Sequence, residues 1–200
     1  GLTFAILKTV AMEHVLDLPK KAFINSIDKL EKAGARISEI SVLSVNKAMD
    51  LTRFLYSPEA YATWKHKIEK SPDLMFTQIL ERFRSGANVL ASDFICAWDK
   101  LIDLRQQYHL EVEAYDAVLI PTSPIVPPEI SRLMSNGDFY NSQNLLALRN
   151  TRIGNLMGGC SITLPTDIPS CGLLIMGRPN EEERLLRLAQ ACELVLVRNR

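Results

Sequence analysis

The sequence lacks the features that assign a chain directly to a metal-binding, nucleotide-binding, membrane or nucleic-acid-binding class. Its four cysteines show no Cys-x-x-Cys spacing, and no Gly-x-Gly-x-x-Gly or Walker loop is present. No apolar run approaches the ~20 residues that a membrane-spanning helix needs. Lys and Arg together number 23, as do Asp and Glu, so no broad field attracts nucleic acid or an anionic membrane. We therefore expect no metal, no cofactor, no membrane and no direct nucleic-acid partner.

The cysteines also indicate the compartment. Three of Cys96, Cys160, Cys171 and Cys192 lie among apolar or small residues, as reduced and buried cysteines do. The apolar start of the chain lacks the basic head and cleavage site of a signal peptide, and it lacks methionine. These features predict a cytoplasmic protein, cut from a longer chain, for which a homodimer stays possible.

The first 42 residues predict a strand–helix–strand unit. The short apolar run Thr3–Leu7 is typical of a strand covered on both faces. Pro19 opens an amphipathic helix and Gly34 is suited to end it. The alternation in Arg36–Val42 predicts the second strand.

Residues 43–113 are helical in pattern and predict a helical insertion. Breaks are expected at Ser57-Pro58, at Ser71-Pro72 and at Ser85–Asn88, with Ser57 and Ser71 capping the helices that follow. The longest helix begins near Ser92, and its apolar stripe predicts core packing. The members of this stripe are Phe94, Ile95, Trp98, Leu101, Ile102 and Tyr108.

The last third returns to strands. Ala117–Ile120 is apolar without alternation, which is typical of a strand buried on both faces of a parallel or mixed sheet. The fold class is therefore α/β: a mixed sheet flanked by helices, with the helical insertion in the middle. The remaining predicted elements are a helix over Asn141–Met157, strands over Ser161–Leu164 and Gly172–Met176, and a final helix over Glu181–Val197 capped by Asn180.

Gly158-Gly-Cys-Ser161 is a candidate nucleophile site, because the glycines allow close backbone approach beside a thiol and a hydroxyl. A nucleophilic thiol needs a base, however, and no motif places His14, His66 or His109 near Cys160. Turn glycines beside a small buried cysteine are the favoured interpretation.

Two other polar pairs stand at helical spacing. Arg152 and Asn155 lie about one turn apart and share a face, where they either bind a carbonyl or carboxylate or hold a loop in place. Asp99 and Asp103 on the long helix are interpreted as a solvated face. From the residues alone, no function is identified.

Three segments in the last third together resemble the carboxyl-terminal half of the amidase signature family. They are Tyr115-Asp116 with Pro121-Thr122, then Asn155 with Pro165, and then Gly172–Gly177 followed by Glu181–Leu185. The resemblance implies that residues 1–200 are a single carboxyl-terminal portion of an amidase-type α/β/α domain. Arg152 and Asn155 then become the candidate substrate-binding residues.

Members of that family act on carboxamide C–N bonds with a Ser–cis-Ser–Lys triad, which lies in a Gly/Ser-rich signature toward the amino-terminal half. No Gly-Gly-Ser-Ser-Gly-like run occurs in this sequence. No catalytic residue is therefore assigned, and the chain alone is expected to be inactive. The resemblance leaves it the roles of completing the sheet and forming a pocket wall, with a missing amino-terminal half and a small amide substrate as partners.

Alternatives remain open at this point. In the ammonia-releasing subunit of glutamyl-tRNA(Gln) amidotransferase, an acidic residue before a Thr-x-x-x-Asn segment receives the amino group of glutamine. In this chain the corresponding position is about Leu148. A buried leucine cannot pair with an ammonium group. An inactive binding or scaffold half would be favoured by an exposed sheet edge at Thr3–Leu7 or Gly172–Met176. A Cys160 thiol enzyme would show rapid, stoichiometric labelling of that cysteine.

Overall fold

The computed structural model describes residues 1–197 and contains a five-stranded mixed sheet in the order β2-β1-β3-β5-β4. The three strands β1, β2 and β3 run parallel, whereas β5 is antiparallel to β3 and β4 is antiparallel to β5. The predicted mixed sheet is confirmed. The strands are β1 (Thr3–Leu7), β2 (Arg36–Ile40), β3 (Ala117–Pro121), β4 (Ser161–Pro165) and β5 (Gly172–Met176).

Helices fill the connections. They are α1 (Asp17–Lys32), α2 (Leu43–Asp50), α3 (Thr52–Lys70), α4 (Thr77–Arg84), α5 (Ala91–Glu111), α6 (Ile130–Ser135), α7 (Gly137–Ala147), α8 (Arg149–Met157) and α9 (Glu182–Val197). Short 3-10 turns occupy Val10–Met12, Pro72–Leu74 and Ser85–Asn88. Within the described part of the chain, no helix is both long and apolar enough to span a bilayer.

The predicted strand–helix–strand unit is present as β1–α1–β2. Gly34 follows α1 with a φ of +96°, a left-handed conformation that glycine adopts without strain, so the helix ends there as expected. The second strand ends at Ile40, two residues earlier than predicted. Val42 is nonetheless buried, although it lies outside the sheet and directly before α2.

Both faces of the sheet are covered. On one face, side chains of the sheet, such as Phe4, Leu119 and Ile175, form a core with apolar residues of α1 and α9. On the other face α8 packs closely, since a Cβ added at Gly154 would lie 3.8 Å from Met176 Sδ. Every residue of β3 is buried, as its run without alternation predicts.

Neither of the two strands whose exposure would favour a binding or scaffold half lies at an edge of the sheet. β1 lies between β2 and β3, and β5 lies between β3 and β4, so neither Thr3–Leu7 nor Gly172–Met176 is an edge. The edge strands among residues 1–197 are β2 and β4. The reason is that the parallel crossover places β2 outside β1, while the antiparallel pairing of β4 with β5 places β4 outside β5.

The chain forms two compact units. The first contains the sheet and comprises Gly1–Asn46 with the chain from Arg105 onward; the second is Lys47–Leu104 and is built of helices. The second unit falls inside the predicted insertion over residues 43–113. That the 200 residues are a single carboxyl-terminal portion of a larger domain stays a prediction.

In the helical unit, the predicted break at Ser57-Pro58 is wrong, because both residues lie inside α3. Ser57 does not cap a helix; its hydroxyl donates to Arg53 O at 3.4 Å. Gly86 packs against this point, since a Cβ added there would lie 2.1 Å from Ser57 O. α3 therefore continues without a break through Pro58, where the backbone of Gly86 packs closely against it, although a proline inside a helix is disfavoured locally.

The apolar stripe of α5 is only partly buried. Leu101 and Tyr108 are in the core as predicted, but Ile95 is 58% exposed and Ile102 is 48% exposed. The buried face of α5 instead includes Ala97 and Leu104, and Val112, the residue after the helix, is also buried. The stripe prediction is therefore wrong at two positions.

Two predicted helix boundaries are also wrong. The single helix expected over Asn141–Met157 is two helices, α7 and α8, which meet at Leu148. Asn180 does not have the extended backbone of a capping residue, because its φ is +60° and it lies in the turn before α9. Glu182 and Glu183 do occupy the first turn of α9, where the helix dipole favours acidic side chains.

Asp116, which belongs to the Tyr-Asp segment of the family resemblance, links neighbouring elements through its carboxylate. Its Oδ2 accepts a hydrogen bond from Thr3 N at 2.8 Å, and its Oδ1 accepts one from Arg184 Nη2 at 2.7 Å. One carboxylate therefore links the start of β3 to β1 and to α9. The role of Asp116 is structural.

Candidate functional site

The start of α8 is anchored at the carboxyl ends of two parallel strands. Asn150 is fully buried, and its Nδ2 donates to Pro121 O at 2.7 Å and to Ala11 O at 3.0 Å. Pro121 ends β3, and Ala11 lies in the 3-10 turn that follows β1. In α/β proteins, ligands bind beyond the carboxyl ends of the parallel strands. The anchor therefore fixes the start of α8 at the carboxyl ends of β1 and β3.

Arg149 precedes this anchor and is also buried, with 7% of its surface exposed. Its Nε donates to Asn150 Oδ1 at 3.1 Å, and its Nη2 donates to Ala11 O at 3.3 Å. Burial lowers the pKa of the Arg149 guanidinium, and the charge of Glu13 partly opposes that shift. Because an arginine remains protonated in proteins, the group is a buried cation.

The other end of α8 is held by side chains of α5. Arg105 Nε donates to Leu156 O at 2.6 Å, and His109 Nε2 lies 3.1 Å from Met157 O. These are the last carbonyls of the helix, which have no partner inside it. Gly158 then ends α8 in the left-handed conformation, with a φ of +70°. Both ends of the helix are thus fixed by the fold.

We expect His109 to make the stability of the fold depend on pH. Burial lowers the pKa of His109 below its usual 6.5, and the smaller effect of the bond to Met157 O opposes this. As the pH falls from about 6.5 to the lowered folded value, the unfolded chain binds a proton that the folded chain does not. We expect the free energy of unfolding to fall across that window. Chemical denaturation at successive pH values measures it.

His109→Gln is the matched control for this pH dependence, because glutamine keeps an N–H donor without a titrating group. The variant is expected to lose that part of the pH profile. An identical profile in both proteins would show that another group is responsible.

Arg152 and Asn155 lie on the accessible side of α8. The side that faces the sheet carries Arg149, Asn150, Ile153, Gly154, Leu156 and Met157, all buried. Asn155 is exposed and Arg152 is half-buried, so the two predicted residues do share a face. Their binding of an amide stays a prediction.

Leu148 is not the buried residue that the amidotransferase alternative assumed. It is 46% exposed at the junction of α7 and α8. The chain has no carboxylate at this position, since Leu148 is followed by Arg149 and Asn150. An ammonium group placed here would meet an apolar side chain and a buried cation.

Asp99 and Asp103 belong to the helical unit and are both exposed, as a solvated face requires. Arg149 and Asn150 are the residues that sequence reasoning missed as a site. The sequence did contain a signal, because helical periodicity places this polar pair on the same side of α8 as its apolar residues, and that side packs against the sheet.

Cys160 is not arranged as a nucleophile. Its Sγ lies 3.0 Å from Arg178 O, to which the thiol donates. Burial raises the pKa of Cys160, and the Glu182 carboxylate raises it further, so the thiolate is disfavoured. A Cβ added at Gly159 would lie 2.4 Å from Gly177 O, so a glycine is needed for this close backbone approach. The two glycines therefore serve the turn, as the favoured interpretation expects, whereas Cys160 is half-buried rather than buried.

Thiol labelling follows from these environments. Cys96 is exposed, whereas Cys192 is buried and has its pKa raised to about 11 by burial. We expect an alkylating reagent at neutral pH to modify Cys96 first, Cys160 more slowly and Cys192 last. Mass spectrometry of timed samples measures the order. Rapid, stoichiometric modification of Cys160 would instead support a thiol enzyme.

A family model described as "Amidase" matches residues 1–186 of this chain. Among curated relatives, the chain is 26% identical to a 2-amino-5-chloromuconic acid deaminase of Comamonas testosteroni over 86% of this chain and 38% of that protein. It is 26% identical to an amidase of Pseudomonas putida over 96% of this chain and 42% of that protein. The selenomethionine-substituted allophanate hydrolase of Kluyveromyces lactis has a similar fold, with a TM-score of 0.82 at 18% identity over 98% of this chain and 32% of that one.

These matches agree on the fold that the motifs predicted. The chain spans 38% and 42% of the length of the two curated relatives. Because the family model covers nearly the whole sequence, the resemblance seen in the Tyr-Asp, Asn and Gly segments is confirmed. This chain belongs to the Amidase family, the amidase signature family that its motifs indicate.

Proposed function

We propose that this chain is the carboxyl-terminal part of an amidase-family enzyme that acts on carboxamide C–N bonds. It completes the mixed sheet and supplies one wall of the substrate pocket, while the Ser–cis-Ser–Lys triad lies outside these 200 residues. The observation that carries the proposal is the anchoring of α8 by Asn150 at the carboxyl ends of β1 and β3. Family membership supplies the reaction class.

The chemistry of the wall suits a carboxamide. Asn155 presents a side-chain amide that both donates and accepts hydrogen bonds, and Arg152 presents N–H donors for a carbonyl oxygen. A helix held at both ends keeps these groups in place, and positioning of this kind contributes to catalysis without new chemistry. The nucleophile, its base and the oxyanion donors would come from the rest of the enzyme.

The test uses the purified chain alone and then mixed with the amino-terminal part of the Pseudomonas putida amidase. Native mass spectrometry first establishes that the two parts assemble. Substrates are a small aryl amide, glutamine, asparagine and succinamate, the last included because a relative's name specifies an acid. We expect no turnover by the chain alone and turnover by the assembled complex.

Each outcome bears on one hypothesis. Turnover by the chain alone would contradict the assignment of the triad outside it. An assembled but inactive complex would favour a binding or scaffold module. Preference for glutamine would favour the amidotransferase branch, which we rank lower because no carboxylate stands at Leu148, Arg149 or Asn150.

A further inference from the structure

The fold by itself disfavours a positive charge at the position of Arg149. Arg149 is the first residue of α8, at the positive end of the helix dipole, and the first turn of that helix contains no acidic residue. The side chain is 7% exposed, so most of its hydration is lost. Among the described residues 1–197, no carboxylate forms an ion pair with it; Glu13 acts on it through charge alone.

Arg149 is not needed to anchor the helix. Asn150 already joins α8 to Pro121 O and Ala11 O, so the bond from Arg149 to Ala11 O repeats an existing link. A guanidinium has five N–H donors in a planar fork, and only Nε and Nη2 of Arg149 have acceptors within residues 1–197. Both acceptors are neutral oxygens. A fold that needed only the anchor would be better served by an uncharged residue here.

One ligand group relieves each of these costs. A carboxylate at the guanidinium supplies the missing counter-charge and accepts hydrogen bonds from the remaining N–H groups. It also lies at the positive end of α8, where the helix dipole favours an anion. The position is the carboxyl end of the parallel strands, where α/β proteins bind small molecules. On the accessible side of the same helix, Arg152 and Asn155 follow within two turns.

We propose that Arg149 is the specificity-determining residue for a carboxylate carried by the amide substrate, so that the substrate class is an amide of an organic acid. This inference rests on the proposed function, because it assumes that α8 forms a wall of the substrate pocket. A carboxylate from the rest of the enzyme would satisfy the same guanidinium. The experiment separates the two sources.

The experiment measures binding to the intact chain rather than turnover. Succinamate, which carries an amide and a carboxylate, is titrated against butyramide, a neutral amide of the same chain length, while NMR follows the Arg149 Nε–Hε signal. We expect succinamate to shift the signal saturably in roughly the millimolar range and butyramide to leave it unchanged. Arg149→Lys is expected to weaken succinamate binding about tenfold, because lysine loses the planar fork.

Arg187→Met is the matched control, since Arg187 is an exposed arginine on α9 that pairs with Glu183. This variant should bind succinamate as the native chain does, whereas Arg149→Met should not bind it. Circular dichroism establishes that each variant is folded. If Arg149→Met does not fold, the comparison of the two probes on the native chain still decides the question.

Equal shifts by succinamate and butyramide, or no shift by either, would overturn the inference. It would also be overturned if assembly with the amino-terminal part of the Pseudomonas putida amidase moved the Arg149 signal and blocked succinamate, because the enzyme itself would then supply the carboxylate. Failure of the proposed function is a separate result, since turnover by the chain alone does not alter this binding readout.

Discussion

Replacing Asn150 with alanine is expected to lower the free energy of unfolding by about 3 kcal/mol, because the change removes three buried hydrogen bonds and leaves a small cavity. The Pro121 carbonyl would lose the donor that now lies 2.7 Å away, inside a part of the sheet that excludes water. Ala11 O would keep only the bond from Arg149. Urea denaturation of native and variant chains, followed by circular dichroism, measures the difference.

Asn155→Ala is the matched control, because it makes the same substitution five residues later at an exposed position of the same helix. Its effect is expected to stay within about 0.5 kcal/mol. Equal costs at the two positions would contradict the view that Asn150 anchors α8. In the proposed function α8 supplies a pocket wall that this anchor holds in place, so Asn150→Ala should also reduce the turnover of the assembled complex.

Replacing Gly86 with alanine is expected to destabilise the helical unit, Lys47–Leu104, by about 2–3 kcal/mol. The added Cβ would lie 2.1 Å from Ser57 O and 2.6 Å from Pro58 N, both backbone atoms inside α3 that cannot turn away as a side chain can. The turn over Ser85–Asn88 would have to move away from α3. Hydrogen exchange resolved by residue measures where the protection is lost.

We expect amides of α3 and α4 to exchange faster in Gly86→Ala, while those of β1 and β3 change little. Ala87→Ser is the control, since Ala87 is exposed in the same turn and the substitution there should leave exchange unchanged. Loss of protection spread evenly over the whole chain would show that the two units unfold as one. Unaltered protection in α3 would show that the turn adapts to a side chain.

The elements that sequence predicted well are those specified by local pattern. β1 and β5 have the predicted bounds, β3 and β4 extend one residue further than predicted, and α1 ends before Gly34. Apolar runs, alternation and a left-handed glycine act over a few neighbouring residues, so their consequences are present in the sequence itself. The same holds for Arg152 and Asn155, whose shared face follows from helical periodicity alone.

The candidate site was predicted only in part, because its main contacts join distant segments. Asn150 bonds to Ala11 across 139 residues and to Pro121 across 29, and no local pattern encodes that meeting. Leu148 was expected to be buried and is exposed, at the junction where α7 ends and α8 begins. The two exposed isoleucines of α5 likewise depend on which neighbours the folded chain brings to that helix.

What the sequence by itself determined is therefore the set of strands, the α/β class and the family, since each rests on short-range patterns and motifs. The tertiary structure alone decided the strand order, the passage of α3 through Pro58 and the burial of Arg149 and Asn150 at the start of α8. These features depend on which remote backbone carbonyls and side chains come together, and that is decided by the packing of the whole chain rather than by any one segment.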